Sequence, residues 1–175
     1  MPPHPLVIVA HDIRSAHNVG AVFRIADSAG AAGVVLTGFT PTPEHRGVAK
    51  TALGAQDAVP WEQRAALADA VAELRQRGHT IAALEVAPGG VLPGDVPARA
   101  FPLALVLGNE VSGVPPDALD DADLVISLPQ YGSKSSLNVS VACGVAVYGL
   151  VERVRGLEPG RIRPSPAGVG RATSP

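Results

Sequence analysis

Three short stretches of the sequence carry polar side chains of the kinds that bind ligands or cap helices. They are "NVGAVFR" at 18–24, "GNEVSG" at 108–113 and "KSSLN" at 134–138. Each follows an apolar run typical of a buried strand, either directly or after a short loop. In an open parallel sheet, ligands bind beyond the carboxyl ends of the strands. We therefore predict that the three stretches converge on one site, although Ser and Asn in such positions also serve as simple helix caps.

Several common chemistries are excluded by the motifs and their spacing. The sequence has no G-x-G-x-x-G, no G-x-x-x-x-G-K-[ST] and no G-x-S-x-G. Its five His residues lack metal-binding spacings, so we expect no metal. The single cysteine, Cys143, excludes a disulfide framework and is interpreted as an inert buried thiol. We interpret His11 and His17 as surface histidines, with a proton shuttle as the other reading.

The composition is typical of one soluble globular domain that binds no partner through its overall charge. Of the 175 residues, 46% are apolar and 17% are charged, and the net charge is −2. A polyanionic partner would therefore need a local basic patch. Aromatic residues make up only 3%, which disfavours recognition by stacking of single-stranded bases. The longest apolar run, at 139–151, is too short to span a bilayer, so we predict a cytoplasmic protein without a membrane segment.

The elements that must position the polar stretches alternate between strand and helix along the chain. This alternation predicts an α/β fold, a mostly parallel sheet with helices on both faces. Asn18 is the predicted N-cap of the first helix, and "FTPTPEHRG" at 39–47 is predicted as a loop. We predict one domain over 1–156 and a disordered Gly-, Pro- and Arg-rich tail over 157–175. The predicted strands are 5–10, 33–38, 80–86, 102–110 and 124–129, and the predicted helices are 18–30, 60–78, 115–122 and 134–155.

Three longer motifs occur in a fixed order across most of the chain. They are "NVGAVFRIADSAG", "LVLGNEVSGVP" and "LPQYGSKSSLNVSVACGVAVYGLV". Together they resemble the three signature motifs of the SpoU (TrmH-like) group of the SPOUT RNA methyltransferases. The resemblance implies a SPOUT fold with a C-terminal deep trefoil knot, S-adenosylmethionine as cofactor, and a homodimer. It also implies methyl transfer to a ribose 2′-hydroxyl of tRNA or rRNA.

The resemblance assigns expected roles to individual positions. Arg24 matches the residue that handles the 2′-hydroxyl and a nearby phosphate, Asn18 and Glu110 match residues that shape its pocket, and Ser136 and Asn138 match a polar pair. Because a guanidinium is not deprotonated in proteins, we interpret Arg24 as an electrostatic stabiliser rather than a base. The implied cofactor-binding residues are Leu84, Gly108, Asn109, Leu128, Ser136 and Leu137. The candidate RNA-binding residues are Arg14, Arg24, Arg46, Lys50 and Lys134.

The leading hypothesis is therefore an S-adenosylmethionine-dependent RNA 2′-O-methyltransferase. A non-catalytic RNA- or nucleotide-binding module on the same fold is the alternative, and a small-molecule methyltransferase is a weaker one. The presence of Arg24, Glu110, Ser136 and Asn138 together favours the enzyme. Because the first strand begins at residue 5, no preceding RNA-binding domain is expected, and the surface of the dimer would recognise the RNA.

Overall fold

A six-stranded parallel sheet lies at the centre of the computed structural model, which describes residues 2–157. The strand order is β3-β2-β1-β5-β4-β6, and each neighbouring pair is parallel. The central strands are unbroken apolar runs, as expected of strands covered on both faces. The predicted parallel sheet is confirmed, and the predicted tail lies outside the described residues apart from Leu157. The strands are β1 (His4–His11), β2 (Ala31–Thr37), β3 (Trp61–Arg64), β4 (Thr80–Leu84), β5 (Leu103–Leu107) and β6 (Leu124–Ile126).

Helices cover both faces of the sheet, as predicted. Successive side chains of a strand point to opposite faces, so Ile8 of β1 packs on one face and Val9 on the other. The Ile8 face is covered by α1 and α6, and the Val9 face by α4 and α5. The helices are α1 (Ala16–Ala29), α2 (Arg46–Ala52), α3 (Ala55–Ala58), α4 (Leu67–Gln76), α5 (Pro116–Asp121) and α6 (Val139–Leu157). Within residues 2–157, no helix has the length and apolar character needed to cross a membrane.

The segment predicted as one helix over 60–78 is a strand followed by a shorter helix. Trp61–Arg64 pairs with β2 from Val34 to Thr37 and extends the sheet by one edge strand. The free backbone edge of β2 supplies the hydrogen bonds, a long-range partner that local apolar spacing does not reveal. Arg64 then connects β3 to α4, because its guanidinium donates to Glu73 at 2.8–3.0 Å. Helices α2 and α3 were not predicted, and α2 begins inside the predicted loop, at Arg46.

Two predicted helix starts are wrong by a few residues. Ser15, not Asn18, is the N-cap of α1, and its hydroxyl accepts a hydrogen bond from the Asn18 amide at 3.3 Å. At the other end, Gly30 stops α1 with a φ of 67°, as predicted. Helix α6 begins at Val139 rather than within "KSSLN". The predicted strands 80–86, 102–110 and 124–129 end earlier than expected, at Leu84, Leu107 and Ile126. The residues beyond these ends are therefore free to build a site.

Candidate active site

A pocket of about 410 Å³ opens at the carboxyl ends of β4 and β5. Its walls come from segments 84–86, 107–114 and 128–137 and from the first turns of α6. This volume is in the range of small-molecule sites. The six residues predicted to bind a cofactor all line the pocket: Leu84, Gly108, Asn109, Leu128, Ser136 and Leu137. The convergence expected at this edge of the sheet is therefore present, and the binding roles of the six residues stay predictions.

A tight turn over 108–114 forms one wall, and its geometry requires glycine. A Cβ on Gly108 would lie 2.1 Å from the carbonyl carbon of Gly113 and 2.2 Å from the Val114 nitrogen. Asn109 and Gly113 exchange two backbone hydrogen bonds of 2.9 and 3.0 Å. Gly113 has a φ of 71°, a conformation that favours glycine. The backbone of the turn therefore packs closely against the end of β5, and its residues line the pocket.

Asn109 holds this turn in place with its side chain. Its carboxamide oxygen accepts hydrogen bonds from the Val111 and Ser112 amides at 2.9 and 3.2 Å. Its carboxamide nitrogen donates to the Asp12 carbonyl at 2.7 Å, which attaches the turn to the end of β1. Asn109 therefore lines the pocket and also fixes the backbone of one of its walls.

Glu85 lines the same pocket and was not identified from the sequence. Its carboxylate accepts hydrogen bonds from the Val114 amide at 3.1 Å and from the Val86 amide at 3.0 Å. The carboxylate thereby ties the end of β4 to the turn after β5. A charged residue at the end of an apolar strand can indicate a site. Because the predicted strand extended to residue 86, Glu85 was counted as part of the strand.

Asn18, Glu110 and Asn138 form one chain of side-chain hydrogen bonds. The Asn18 carboxamide nitrogen donates to Glu110 at 2.9 Å, and its oxygen accepts from Asn138 at 3.2 Å. These partners are 92 and 120 residues apart in sequence. The three polar stretches are therefore joined directly beside the pocket, and we call this set the motif chain.

Glu110 also accepts hydrogen bonds from the backbone that precedes α1. The Arg14 and Ser15 amides donate to its two oxygens at 2.8 and 3.0 Å. Burial by itself raises the pKa of Glu110, but the hydrogen bonds from Arg14, Asn18 and Ser15 together lower it. Glu110 is therefore ionised near neutral pH and is a weak base. The geometry makes it a positioning residue that holds the loop before α1.

Asn138 completes the motif chain by capping α6. Its carboxamide oxygen accepts from the Ser140 and Val141 amides at 2.9 and 3.3 Å, and from the Ser140 hydroxyl at 2.7 Å. The same hydroxyl lies 3.4 Å from the Asn18 oxygen. Ser140 therefore contacts two residues of the motif chain. It was not identified as a site residue from the sequence, although it lies inside the third motif. Ser136 takes no part in these bonds and lines the pocket instead.

Arg24 does not reach the pocket of its own chain. It is exposed on α1, six residues after Asn18, which is about 9 Å further along the helix axis. Its guanidinium makes no hydrogen bond or ion pair with another residue in the described part of the chain. The other candidate RNA-binding side chains are also exposed: Arg14 before α1, Arg46 and Lys50 on α2, and Lys134 in the loop before α6.

The histidines and the cysteine are the other residues of the sequence that could bind a metal. Between residues 2 and 157, no three side chains of His, Cys, Asp or Glu come together in a way that could hold a metal ion. Burial raises the pKa of the Cys143 thiol to about 12, in agreement with an inert thiol. His17 is exposed as predicted, but His11 is not a surface residue, because its side chain is 14% exposed and bonded to Thr37.

Residues 5–148 match the SpoU rRNA Methylase family. The chain belongs to this family. It is 36% identical to the 23S rRNA (guanosine-2′-O-)-methyltransferase RlmB of Ralstonia nicotianae, over 85% of this chain and 59% of that protein. The chain thus spans about three-fifths of the length of the curated relatives it matches.

Solved structures of the same family share the fold of this SpoU chain. The AdoMet-bound rRNA methyltransferase of Sinorhizobium meliloti superposes with a TM-score of 0.80 at 27% identity, over 87% of this chain and 58% of that one. The TrmH/SpoU tRNA modifying enzyme of A. aeolicus gives a TM-score of 0.78 at 28% identity, over 89% and 78%. The family resemblance of the three motifs is therefore confirmed.

Proposed function

We propose that this chain transfers a methyl group from S-adenosylmethionine to a ribose 2′-hydroxyl of tRNA or rRNA. The observation that carries the proposal is the motif chain, which joins three distant stretches beside an open pocket. The names of relatives support it, since one is an rRNA guanosine-2′-O-methyltransferase and one solved neighbour is AdoMet-bound. A protein acting on these RNAs would work in the cytoplasm.

The pocket fits S-adenosylmethionine in size and in the character of its walls. Gly108 lines the pocket, and because the backbone of Gly113 and Val114 fills the space of its side chain, main-chain groups of the turn would border an adenosyl group. Leu84, Leu128 and Leu137 supply apolar contact, and Ser136 supplies a hydroxyl. When bound, this cofactor supplies an electrophilic methyl group.

The role of the protein would be to orient the 2′-oxygen and to stabilise its developing charge. The motif chain fixes the loop before α1 against the start of α6, and so holds the rim of the pocket rigid. Arg24 would provide positive charge and bind the adjacent phosphate. Neither Arg24 nor the ionised Glu110 is suited to accept a proton. The proton of the 2′-hydroxyl would therefore leave to water or to a substrate phosphate.

We propose that two copies of the chain form the working unit. Helix α6 exposes Val141, Val145 and Tyr148 along one face, with exposures of 52%, 52% and 47%. Residues at this spacing form a continuous apolar stripe. A dimer through this stripe would also explain Arg24, which could enter the pocket of the partner although it is distant from its own. The deep trefoil knot implied by the motifs stays a prediction.

Transfer of tritium from labelled S-adenosylmethionine to purified tRNA and rRNA tests the activity. We expect incorporation that mass spectrometry maps to a ribose. Tight cofactor and RNA binding without incorporation would favour the alternative, a non-catalytic binding module. Incorporation into small molecules but not RNA would contradict both.

Mixing two inactive variants tests the shared site. Arg24→Ala keeps an intact pocket, and Gly108→Ala keeps an intact Arg24. If Arg24 acts on the pocket of the partner, an equimolar mixture should recover about a quarter of the wild-type sites, because half of the twofold dimers are mixed and each has one complete site. No recovery after subunit exchange would place Arg24 in its own chain's site or outside catalysis.

A further inference from the structure

The two most exposed aromatic side chains of the described residues both follow the carboxyl end of a strand. Phe39, which follows β2, is 62% exposed, and Tyr131, in the loop after β6, is 94% exposed. The low aromatic content of the sequence disfavours recognition by base stacking. Two of the six aromatic residues nevertheless follow the carboxyl ends of strands, the edge of the sheet at which the pocket opens. Phe39 differs from Tyr131 because hydrogen bonds hold its amide and the residue that follows it.

The turn that presents Phe39 is rigid. The Phe39 amide donates to the Asp12 carboxylate at 3.1 Å, and Gly38 precedes it with a φ of 65°. A Cβ on Gly38 would lie 1.8 Å from that carboxylate. On the other side, the buried Thr40 hydroxyl lies 2.8 Å from the Thr37 carbonyl and accepts from the Ile13 amide at 3.0 Å. An exposed aromatic ring is thus mounted on a fixed backbone.

Asp12 anchors this turn in a strained conformation and also connects it to the pocket. Its φ is 50°, which few residues other than glycine adopt. Such strain persists where the surroundings enforce it and is concentrated at functional sites. The carboxylate of Asp12 binds the Phe39 amide while its carbonyl accepts from Asn109 of the pocket turn at 2.7 Å. One residue therefore sets the position of Phe39 relative to the pocket.

Exposed basic residues lie on the two segments adjacent to this turn in the fold or the sequence. Arg14 follows Asp12 by two residues, and Arg46 and Lys50 lie on α2, the helix that follows the Phe39 turn. Glu44 is the one acidic residue between Phe39 and Lys50. His17 also faces α2, because its ring bonds the Thr51 hydroxyl at 3.0 Å. An exposed aromatic ring with basic residues on neighbouring segments has the chemistry that binds a base together with its phosphates.

We propose that Phe39 stacks on an unpaired base of the RNA substrate while Arg14 and Arg46 contact the neighbouring phosphates. This inference rests on the proposed function for its ligand. It makes Phe39 a substrate-binding residue that holds a nucleotide next to the motif chain. Stacking requires a base that is free of its duplex, so the surface selects single-stranded or looped RNA.

Fluorescence tests the stacking without any methyl transfer. A double variant, Phe39→Trp with Trp61→Phe, carries its one tryptophan at the proposed platform. We expect a short single-stranded RNA of mixed sequence to quench its emission, and the same RNA annealed to its complement to quench much less. The wild-type protein is the matched control, since Trp61 lies at the amino end of β3, away from the carboxyl end of β2 that Phe39 follows, and should not respond.

Enzyme kinetics give the second measurement. Phe39→Ala should raise the KM for RNA about 5- to 150-fold, the range of single-base stacking, while Phe39→Tyr should stay near wild type. Cofactor affinity measured by calorimetry should be unchanged in both variants, and Trp61→Leu should behave as wild type.

Three results would overturn the inference: RNA binding without quenching, equal quenching by duplex and single strand, or an unchanged KM in Phe39→Ala. Dissociation of a dimer by Phe39→Ala with RNA affinity retained would also overturn it, because Phe39 would then be a subunit contact. If the wild-type protein methylates no RNA but the quenching occurs, the proposed function fails and the stacking stands.

Discussion

Replacing Glu110 by Gln tests whether the motif chain is a structural tie or an acid–base device. The carboxylate accepts from three donors, the Arg14 and Ser15 amides and the Asn18 carboxamide, with two oxygens. Glutamine keeps one oxygen and presents an NH₂ group where the other oxygen was. At least one donor then faces another donor, and the remaining bonds lose the charge that strengthens them.

The expected loss of stability follows from these contacts. Hydrogen bonds to charged groups contribute about 1.5–3 kcal/mol each, but Glu110 is solvent-exposed, so the low end of that range applies. We expect the free energy of unfolding to fall by about 1–2 kcal/mol. For a protein of this size, that corresponds to a Tm lower by about 2–8 °C.

The lowered pKa of Glu110 determines how its contribution to stability changes with pH. The pKa of Glu110 is lowered in the folded protein, so its stabilisation is present above the unfolded-state pKa, near 4.3. It is lost as the pH falls through the lower folded pKa. The stability difference between wild type and Glu110→Gln should therefore be full at neutral pH and shrink below about pH 4.

Thermal and denaturant unfolding, followed by circular dichroism at several pH values, measures this difference. Glu44→Gln is the matched control, an exposed carboxylate without a hydrogen-bond partner in residues 2–157, and it should change nothing. Asn18→Ala should weaken stability in a non-additive way with Glu110→Gln, since the two residues share a bond. Unchanged stability together with loss of an ionisation from the pH–rate profile would refute the reasoning and make Glu110 a general base.

Four further predictions follow from single features of the structure. Gly108→Ala should displace the 108–114 turn at a cost of about 1–3 kcal/mol in stability, and calorimetry should show much weaker cofactor binding. Gly132→Ala is the control, because a Cβ there meets no atom within 4 Å, and it should bind the cofactor normally. Arg24→Ala should abolish methyl transfer and leave cofactor affinity unchanged, and an equal loss of affinity would contradict its role. Cys143, with a pKa raised to about 12, should resist iodoacetamide at pH 8 in the native protein and react after unfolding in guanidinium; rapid native labelling would show that the thiol is accessible. Val145→Asp should shift sedimentation from dimer to monomer, and an unchanged dimer would exclude the α6 stripe as the interface.

The strands and helices that were predicted correctly are those whose own residue pattern shows which faces are buried. The apolar runs of β1, β2 and β5 read as strands because both of their faces are covered, and the α1 stripe reads as a helix that ends at Gly30. The edge strand β3 was missed because "WEQR" has no apolar run of its own and pairs only because β2 leaves an edge open. The start of α1 was also misplaced: the helix begins at Ala16 with Ser15 as its cap, and the Asn18 side chain bonds Glu110 and Asn138 instead.

The sequence alone determined the parallel α/β fold, the family, and the three stretches that converge, since strand periodicity and motif order are local properties. Only the tertiary structure decided what each polar group does there. It joined Asn18 to partners 92 and 120 residues away, so that the predicted site residues Asn18, Glu110 and Asn138 form one hydrogen-bonded chain. It also separated Arg24 from its own pocket and fixed Phe39 on the turn after β2 through Asp12. Such roles depend on distances between elements, which no local pattern contains.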